Sequence, residues 1–422
     1  MSNKISAIRG MEDLLPDASA KWQKFEDACR AVFEQYGYRY MRTPVVEYTG
    51  LFVRGLGEVT DIVEKEMYVF EDRNGESLAL RPEATAGIVR SAIEHNFLYN
   101  GPQRVWTAGP MYRYERPQKG RQREFHQFDV EALGFEGPDV DAEQIVMLAR
   151  LWKKLGLTGI ELHVNSIGDA PDRKEHRAKL IEYFERHAGL LDEDAKRRLH
   201  TNPLRILDNT KNADMQEMIN GAPKLLDHLG GSARAHFEAL QALLDDAGVA
   251  YRVNPRLVRG MDYYNRTVFE FVSGNIGAQS TVAGGGRYDG LFEQLGGKPT
   301  PACGFGMGIE RMMLVLEAAG VTAAEELDAF VVFAGEGAQR VAWQHAERLR
   351  DLGLRVLTGT GGSFKSQMKK ADASGARYAL IVGEDEVKAQ RVTLKPLRGG
   401  GSQETLEVNE VLRRLKQTIQ ES

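Results

Sequence analysis

Between Tyr112 and Gly134 the chain reads as strand, basic loop, strand. Side chains along a strand point alternately to opposite faces. In the stretch Arg123 to Ala132, Phe125, Gln127, Asp129 and Glu131 therefore share one face, and His126, Phe128, Val130 and Ala132 share the other. The first face carries a row of polar groups; the second is mostly apolar and can pack. Arg113, Arg116, Lys119, Arg121 and Arg123 lie between the strands. Guanidinium groups beside a polar sheet face suit a polyanionic ligand with a small polar one next to it. A half-exposed hairpin with a solvated charged loop is the plain alternative.

Three further residues could join such chemistry. Arg259 lies between Asn254-Pro255 and Tyr263-Tyr264, and a solvated surface arginine is its plain alternative. Arg311 falls in the first turn of a helix that follows Gly304-Phe305-Gly306-Met307-Gly308. The helix dipole disfavours a cation there, a cost more readily borne opposite an anion. Glu83 sits at a strand-to-helix junction, where it can face a ligand amine; spacing alone favours a helix cap.

Other chemistries lack their residues. No Gly-x-x-x-x-Gly-Lys-Ser/Thr occurs, and the glycines at 304, 306 and 308 do not make Gly-x-Gly-x-x-Gly. The histidines show no His-Glu-x-x-His, and no Gly-x-Ser-x-Gly is present. Cys29 and Cys303 form neither a Cys-x-x-Cys pair nor a disulfide framework, and read as small, partly buried residues.

The elements that must position these residues follow from periodicity. Apolar positions from Trp22 to Tyr36 recur at three- and four-residue spacing, predicting an amphipathic helix over Ala18 to Tyr36 that Gly37 ends. A strand from Tyr38 to Met41 runs into Thr43-Pro44, which places it at an edge or a junction. A short helix over Val59 to Glu66 precedes strands at Met67 to Phe70 and Ser77 to Leu80, joined by an Asn-Gly turn. A helix over Ala84 to about Asn96 follows, then the two strands of the hairpin, a helix over Asp139 to Leu155 and a strand over Ile160 to Asn165. Pro171 to Ala247 is helical, charged and poor in strands, as an insertion would be. Sheet character resumes at Ala250 and is strongest over Thr267 to Val272. Beyond a linker at Val321 to Leu327, strands and helices alternate, predicting a small α/β domain with a mostly parallel sheet.

A chain of 422 residues suits two or three domains. Its 42% hydrophobic and 27% charged content is ordinary for a globular protein. No secretory h-region and no run of roughly 18 apolar residues is present, so a reduced, cytoplasmic protein is expected. The net charge of −5 divides into about +3 for Asp328 to Ser422 and −8 for the rest. That asymmetry permits nucleic acid at the C-terminal part without requiring it.

Taken together, these stretches resemble the class II aminoacyl-tRNA synthetases, and within them the bacterial histidyl-tRNA synthetase family. The helix from Ala18 with its strand to Pro44, the stretch Tyr112 to Gly134, and Gly304 to Arg311 with its helix look like the three class motifs. Leu257-Val258-Arg259-Gly260-Met261-Asp262-Tyr263-Tyr264 and Gly284-Gly285-Gly286-Arg287-Tyr288-Asp289-Gly290 are specific to the histidine enzymes; Arg9-Gly10-Met11 and Arg81-Pro82-Glu83-Ala84-Thr85-Ala86-Gly87 agree. The resemblance implies an α+β catalytic domain on an antiparallel sheet in two parts, 1–169 and 249–322. It also implies a helical insertion domain at 170–248 and a C-terminal α/β anticodon-binding domain at 328–422.

It implies ligation of L-histidine to tRNA(His) through a histidyl-adenylate, with ATP as substrate, Mg2+ on its phosphates and a homodimer as the working form. Arg113 is expected on the α-phosphate, with Arg259 stabilising the developing charge from the other side and Gln127 beside them. Arg121 and Arg311 are expected at the ATP. Glu131 and Tyr264 would take the two imidazole nitrogens, and Glu83, Ala84, Thr85, Arg113, Gln127, Arg259 and Tyr263 would complete the histidine site. Asp129 has no assigned role. A paralogous regulatory subunit of histidine biosynthesis is the alternative; such paralogues lack the C-terminal domain and tend to lose the arginine and tyrosine sites that are present here.

Overall fold

The structure is a computed structural model describing residues 5–58, 60–207, 213–276, 281–321 and 327–420. The chain divides into two units, Met1–Ala323 and Ala324–Ser422.

In chain order the strands of the first unit are β1 (Arg39–Tyr40), β2 (Val46–Tyr48), β3 (Tyr68–Glu71), β4 (Ser77–Leu80), β5 (Gln103–Tyr112), β6 (Glu124–Leu133), β7 (Ile160–Ser166), β8 (Arg252–Val253), β9 (Asn265–Ser273), β10 (Thr281–Arg287) and β11 (Ala302–Gly308). Eight of them form one sheet in the order β1-β5-β6-β11-β10-β9-β7-β8. Its internal pairings are antiparallel, and the two outermost are parallel. The expected antiparallel platform is therefore present, with β1 at its edge. β2, β4 and β3 make a separate small antiparallel sheet. Its β3–β4 turn is tied by Asp72 Oδ1, which accepts from the N–H groups of Asn74 and Glu76, with Gly75 at φ 82°.

The apolar face of β6 packs as its alternation requires. Phe128, Val130 and Ala132 share a core with Phe25, Cys29, Val32 and Phe33 of the helix Pro16–Gln35, and with Ile145 and Leu148 of the helix Pro138–Lys154. Phe33 meets the rings of Trp106, Phe128 and Phe305 at centroid distances of 5.8, 5.6 and 6.2 Å. Truncating so well-packed a phenylalanine costs about 3–5 kcal/mol. Cys29 and Cys303 are fully buried rather than partly so, because both lie in this core.

β10 and β11 are strands that residue propensity does not announce, since glycine is depleted in strands. Close approach explains them. A Cβ at Gly285 would stand 2.0 Å from the Gly304 carbonyl oxygen. One at Gly304 would stand 1.5 Å from Oε2 of Glu131.

The end of β10 is locked from behind. The fully buried Arg287 spends five N–H···O bonds on Asp141, Asp289 and the carbonyls of Phe135 and Gly137, at 2.6–3.3 Å. Asp141 also bonds Nε2 of His236 at 2.9 Å. Burial pushes the Asp141 carboxyl up, but the His236 hydrogen bond and the Arg287 charge outweigh it and hold it at about 2.

Between 170 and 246 the described residues form no strand, and the main helices are Ala170–Arg186, Glu193–Arg198, Ala213–Asn220 and Gly231–Asp246. They contain a small core of their own around Leu180, Phe184, Met215 and Met218. The short helix expected from Val59 is a π-helical turn at Ile62–Glu66. Residue 59 and the linker residues 322–326 lie outside the described residues.

The second unit holds β12 (Ala329–Phe333), β13 (Val356–Thr358), β14 (Tyr378–Val382), β15 (Arg391–Pro396) and β16 (Glu404–Glu407), in the order β13-β12-β14-β15-β16. The expectation of a mostly parallel sheet is corrected to a mixed one: β13 and β14 run parallel to β12, whereas β15 and β16 are antiparallel. The segment between β14 and β15 holds only the short helix Glu384–Ala389. A parallel crossover needs a dozen or more residues.

Candidate active site

The polar face of β6 opens on a cavity of about 260 Å³ in the first unit. Glu83, Thr85, Arg113, Arg121, Gln127, Arg259, Tyr263, Tyr264 and Arg311 all line it. These come from segments as distant in sequence as 83 and 311, and the sheet order brings them together. β6 and β11 are neighbours, so Gln127 and Glu131 face the glycines of the third expected motif.

Two expected residues stand off the cavity wall. Ala84 is fully buried and begins the helix Thr85–Glu94. Glu131 lies just beneath the wall: its Oε1 accepts from Thr85 Oγ1 at 2.6 Å and its Oε2 from the Tyr288 hydroxyl at 2.5 Å. Burial pushes the Glu131 carboxyl well above the usual carboxylate range, against the pull of those two donors. Of the five basic loop residues, Arg113 and Arg121 reach the cavity. Arg123 instead lies over the Tyr114 ring at 3.9 Å, and Arg116 and Lys119 are exposed.

The cavity is bipolar. At one end Glu83 accepts from the N–H groups of Thr85 and Ala86 at 2.8 and 3.0 Å, the cap that its spacing favours. It still lines the cavity while only 4% exposed. Burial raises its pKa, against those two N–H groups and Arg113. Asp129 stands near it. Burial, and then the Glu83 charge, push Asp129 up to about 8. At the other end Arg311 donates to the carbonyls of Gly120 and Thr281 at 3.1 and 2.8 Å. Burial lowers its pKa, as do the Arg121 and Arg113 charges. Arg121 pairs with Glu115. Arg113 influences both ends; its Nε donates to the Pro82 carbonyl at 2.9 Å and its guanidinium lies 5.2 Å from the Phe125 ring centre.

Arg259 is not a solvated surface residue. It pairs with Glu270 and its guanidinium lies 5.9 Å from the centre of the Tyr264 ring. Its Nε is buried and meets no acceptor among the described residues. Burial works against its charge, and Tyr264 and Glu270 outweigh that. A cation held this way, with one donor open, is placed to meet an anion in the cavity.

Such an arrangement can seat a zwitterion at the acidic end and a polyphosphate at the basic end. A model of the histidyl-tRNA synthetase family matches residues 10–312, and one of an anticodon binding domain matches 328–418. The chain belongs to the histidyl-tRNA synthetase family.

Among its curated relatives is the histidine–tRNA ligase of Bordetella avium, 60% identical over 404 residues, which are 95% of this chain and 94% of that one. That of Methylobacillus flagellatus is 57% identical over 98% of this chain and 100% of its own. Among solved structures, apo histidyl-tRNA synthetase from S. aureus superposes with a TM-score of 0.82 at 36% identity, covering 98% of this chain and 100% of that one.

Beyond the residues that the family resemblance assigned, the cavity includes partners that sequence reasoning missed. Glu270 stood out as the one acid in Thr267-Val268-Phe269-Glu270-Phe271-Val272, and that signal went unused. Tyr288 was visible in its motif without a role. Its ring stands 5.5 and 6.5 Å from those of Tyr263 and Tyr264, so three tyrosines cluster there, and its hydroxyl bonds the Glu131 carboxyl. Glu310 lines the basic end and is held by the backbone N–H of His126 and by its Nδ1 at 2.9–3.0 Å.

Proposed function

We propose that this chain ligates L-histidine to tRNA(His) in two steps. The histidine carboxylate attacks the α-phosphorus of ATP, and pyrophosphate leaves. The 3′-terminal ribose hydroxyl of the tRNA then attacks the acyl carbon of the adenylate, and AMP leaves. The observation that carries this reading is the single cavity lined by Glu83, Thr85, Gln127 and Tyr264 together with Arg113, Arg259, Arg121 and Arg311.

Each residue has a use there. Glu83 and Thr85 take the ammonium end of histidine, and Gln127 the carboxylate. Glu131 and Tyr264 take the two imidazole nitrogens, and Tyr263 walls the ring. A site built for two hydrogen bonds rejects ligands lacking them, because buried polar groups are then left unpaired. Ala84 contributes through the backbone turn that aims Glu83 and Thr85. Arg113 and Arg259 bear on the α-phosphate, where negative charge develops; phosphoryl transfer depends on positioning and on such charges. Arg121 and Arg311 receive the outer phosphates and the adenine side.

No cluster of three or more metal-ligating side chains occurs among the described residues. Mg2+ keeps several waters and takes one or two carboxylates besides substrate phosphates. Glu270 and Glu310 are two of the cavity's carboxylates that would serve in that role. When bound, the ion offsets phosphate charge.

We also propose that 1–169 and 249–322 act as the catalytic domain, 170–248 as an inserted helical domain, and 328–422 as the reader of the anticodon stem and loop. The working form is a homodimer, for which the exposed Tyr40, Val46, Tyr48, Val69 and Phe70 beside the edge strand offer apolar surface. No helix among the described residues is long and apolar enough to cross a membrane, and the cytoplasm is the proposed compartment. Histidine-dependent exchange of labelled pyrophosphate into ATP tests the reading. Exchange with histidine and with no other amino acid supports it; histidine binding without exchange would favour a regulatory role.

A further inference from the structure

Asp129 is the buried ionisable group on the cavity that the proposed mechanism leaves unused. It lies on β6 between Gln127 and Glu131, opposite Thr107 on β5 and Gly306 on β11. Only 4% of it is exposed, yet it lines the cavity. Its Oδ2 is buried and receives no hydrogen bond from the described residues. A buried carboxyl oxygen without a partner is costly whether ionised or protonated, and such groups call for an explanation.

Its neighbours do not supply one. Arg81 is the nearby cation on the far side, but its guanidinium is turned to the Pro110 and Thr43 carbonyls and to Thr43 Oγ1, at 2.9–3.3 Å. No cation makes an ion pair with Asp129 among the described residues. On the open side Gly306 keeps space clear: a Cβ there would stand 3.0 Å from Oδ1. Glu83, the other acid at this end, has already spent both oxygens on backbone N–H groups.

We propose that Asp129 is a second carboxylate, beside Glu83, that holds the α-ammonium group of the amino-acid substrate. This rests on the ligase reading and adds a residue to it. An ammonium carries three N–H donors and needs several acceptors when it leaves water. A cation shared between two buried carboxylates also removes the repulsion that otherwise forces one of them to keep a proton. The charged and titratable groups facing Asp129 are Glu83, Glu131, Arg81 and Arg113. In the empty site this setting raises the Asp129 pKa to about 8, so the carboxyl is mostly protonated at neutral pH. Binding the ammonium therefore releases that proton to solvent.

Two measurements test the assignment. In pyrophosphate exchange, Asp129→Asn is expected to raise the KM for histidine about 10- to 100-fold, the effect of losing a hydrogen bond to a charged group. The KM for ATP stays within about twofold of the wild type on the same grounds. The inhibition constant of imidazolepropionate, which is histidine without its amino group, is expected to stay unchanged. Equal changes for histidine and imidazolepropionate, or none for either, would overturn the proposal. The second measurement uses the wild-type protein and so stands even if the variant does not fold. Calorimetric titration at pH 7 in HEPES and in Tris, corrected for the protons that each free imidazole ring carries at that pH, is expected to show close to one proton released per histidine bound and none per imidazolepropionate. Equal release for both, or none for histidine, would overturn it. Absence of histidine-dependent exchange in the wild type would instead sink the ligase reading itself.

Discussion

The Tyr288 hydroxyl donates a 2.5 Å hydrogen bond to Oε2 of Glu131, whose other oxygen is taken by Thr85. Both oxygens of the carboxylate are therefore satisfied in the empty cavity, and the imidazole reaches a group that is already oriented. Tyr288→Phe removes one donor and leaves a buried carboxylate oxygen short of a partner. The cost of such a loss is about 1–3 kcal/mol, or about 5- to 150-fold in KM for histidine. The KM for ATP should hold. Initial-rate pyrophosphate exchange checks both, and equal changes in the two constants would count against Tyr288 as part of the histidine site.

Arg259 pairs with Glu270, but its Nε meets no acceptor among the described residues. A residue with that open donor is expected to act mainly on the transition state. Arg259→Ala should slow single-turnover adenylate formation by about 10²- to 10³-fold or more, while histidine binding measured by calorimetry changes only a few-fold. An unchanged single-turnover rate would remove Arg259 from the chemistry.

The Asp141–Arg287 pair is the anchor behind Tyr288. Asp141→Asn breaks a buried ion pair, which costs about 3–5 kcal/mol. The acid dependence has a definite sign. The Asp141 pKa in the folded state is about 2, below its ordinary 3.8. Its contribution is thus complete above pH 4 and is lost as pH falls toward 2; at about 1.4 kcal/mol per unit it amounts to about 2–3 kcal/mol. Urea midpoints at pH 7 and pH 3 should show the gap between variant and wild type narrowing at the lower pH. A gap that widens would contradict the assignment.

How much of this was legible in the sequence depends on the kind of residue. The alternation from Phe125 to Ala132 placed the β6 faces correctly, because a two-residue period is visible wherever one face packs and the other binds. β10 and β11 were hidden, because their glycines answer to close approach and not to β propensity: Gly304 is glycine so that Glu131 can lie against it. β16 was not anticipated, since Glu404–Glu407 is a short, polar edge. The antiparallel turn into β15 depended on the length of one connection, which alternation of strands and helices does not encode. The partners of the site residues became visible only with the sheet order: Tyr288 lies 157 residues from Glu131, and Glu270, though only 11 residues from Arg259, sits on a strand whose facing direction the sequence did not give. The deep burial of Asp129 was equally hidden, because a polar row on a strand reads as half-exposed.

The second unit carries its own core around Val331, Leu349, Leu380 and Leu415. Ending the chain after Ala323 should therefore leave histidine-dependent pyrophosphate exchange within about tenfold of the full chain, while charging of tRNA(His) falls by more than about 100-fold, as expected when a macromolecular contact surface is removed. Parallel exchange and charging assays on the same preparation check this, and equal losses in both would argue against a separate tRNA-reading role.

The central claim is that Arg113 and Arg259, from different strands and loops, act on one phosphorus atom beside a pocket for imidazole. A crystal structure with a non-hydrolysable histidyl-adenylate analogue tests it most directly. The account predicts the group replacing the α-phosphate within hydrogen-bond distance of both guanidinium groups, with the imidazole between Glu131 and Tyr264. An analogue bound with either arginine turned away from that group, or with its ring outside the tyrosine cluster, would contradict it.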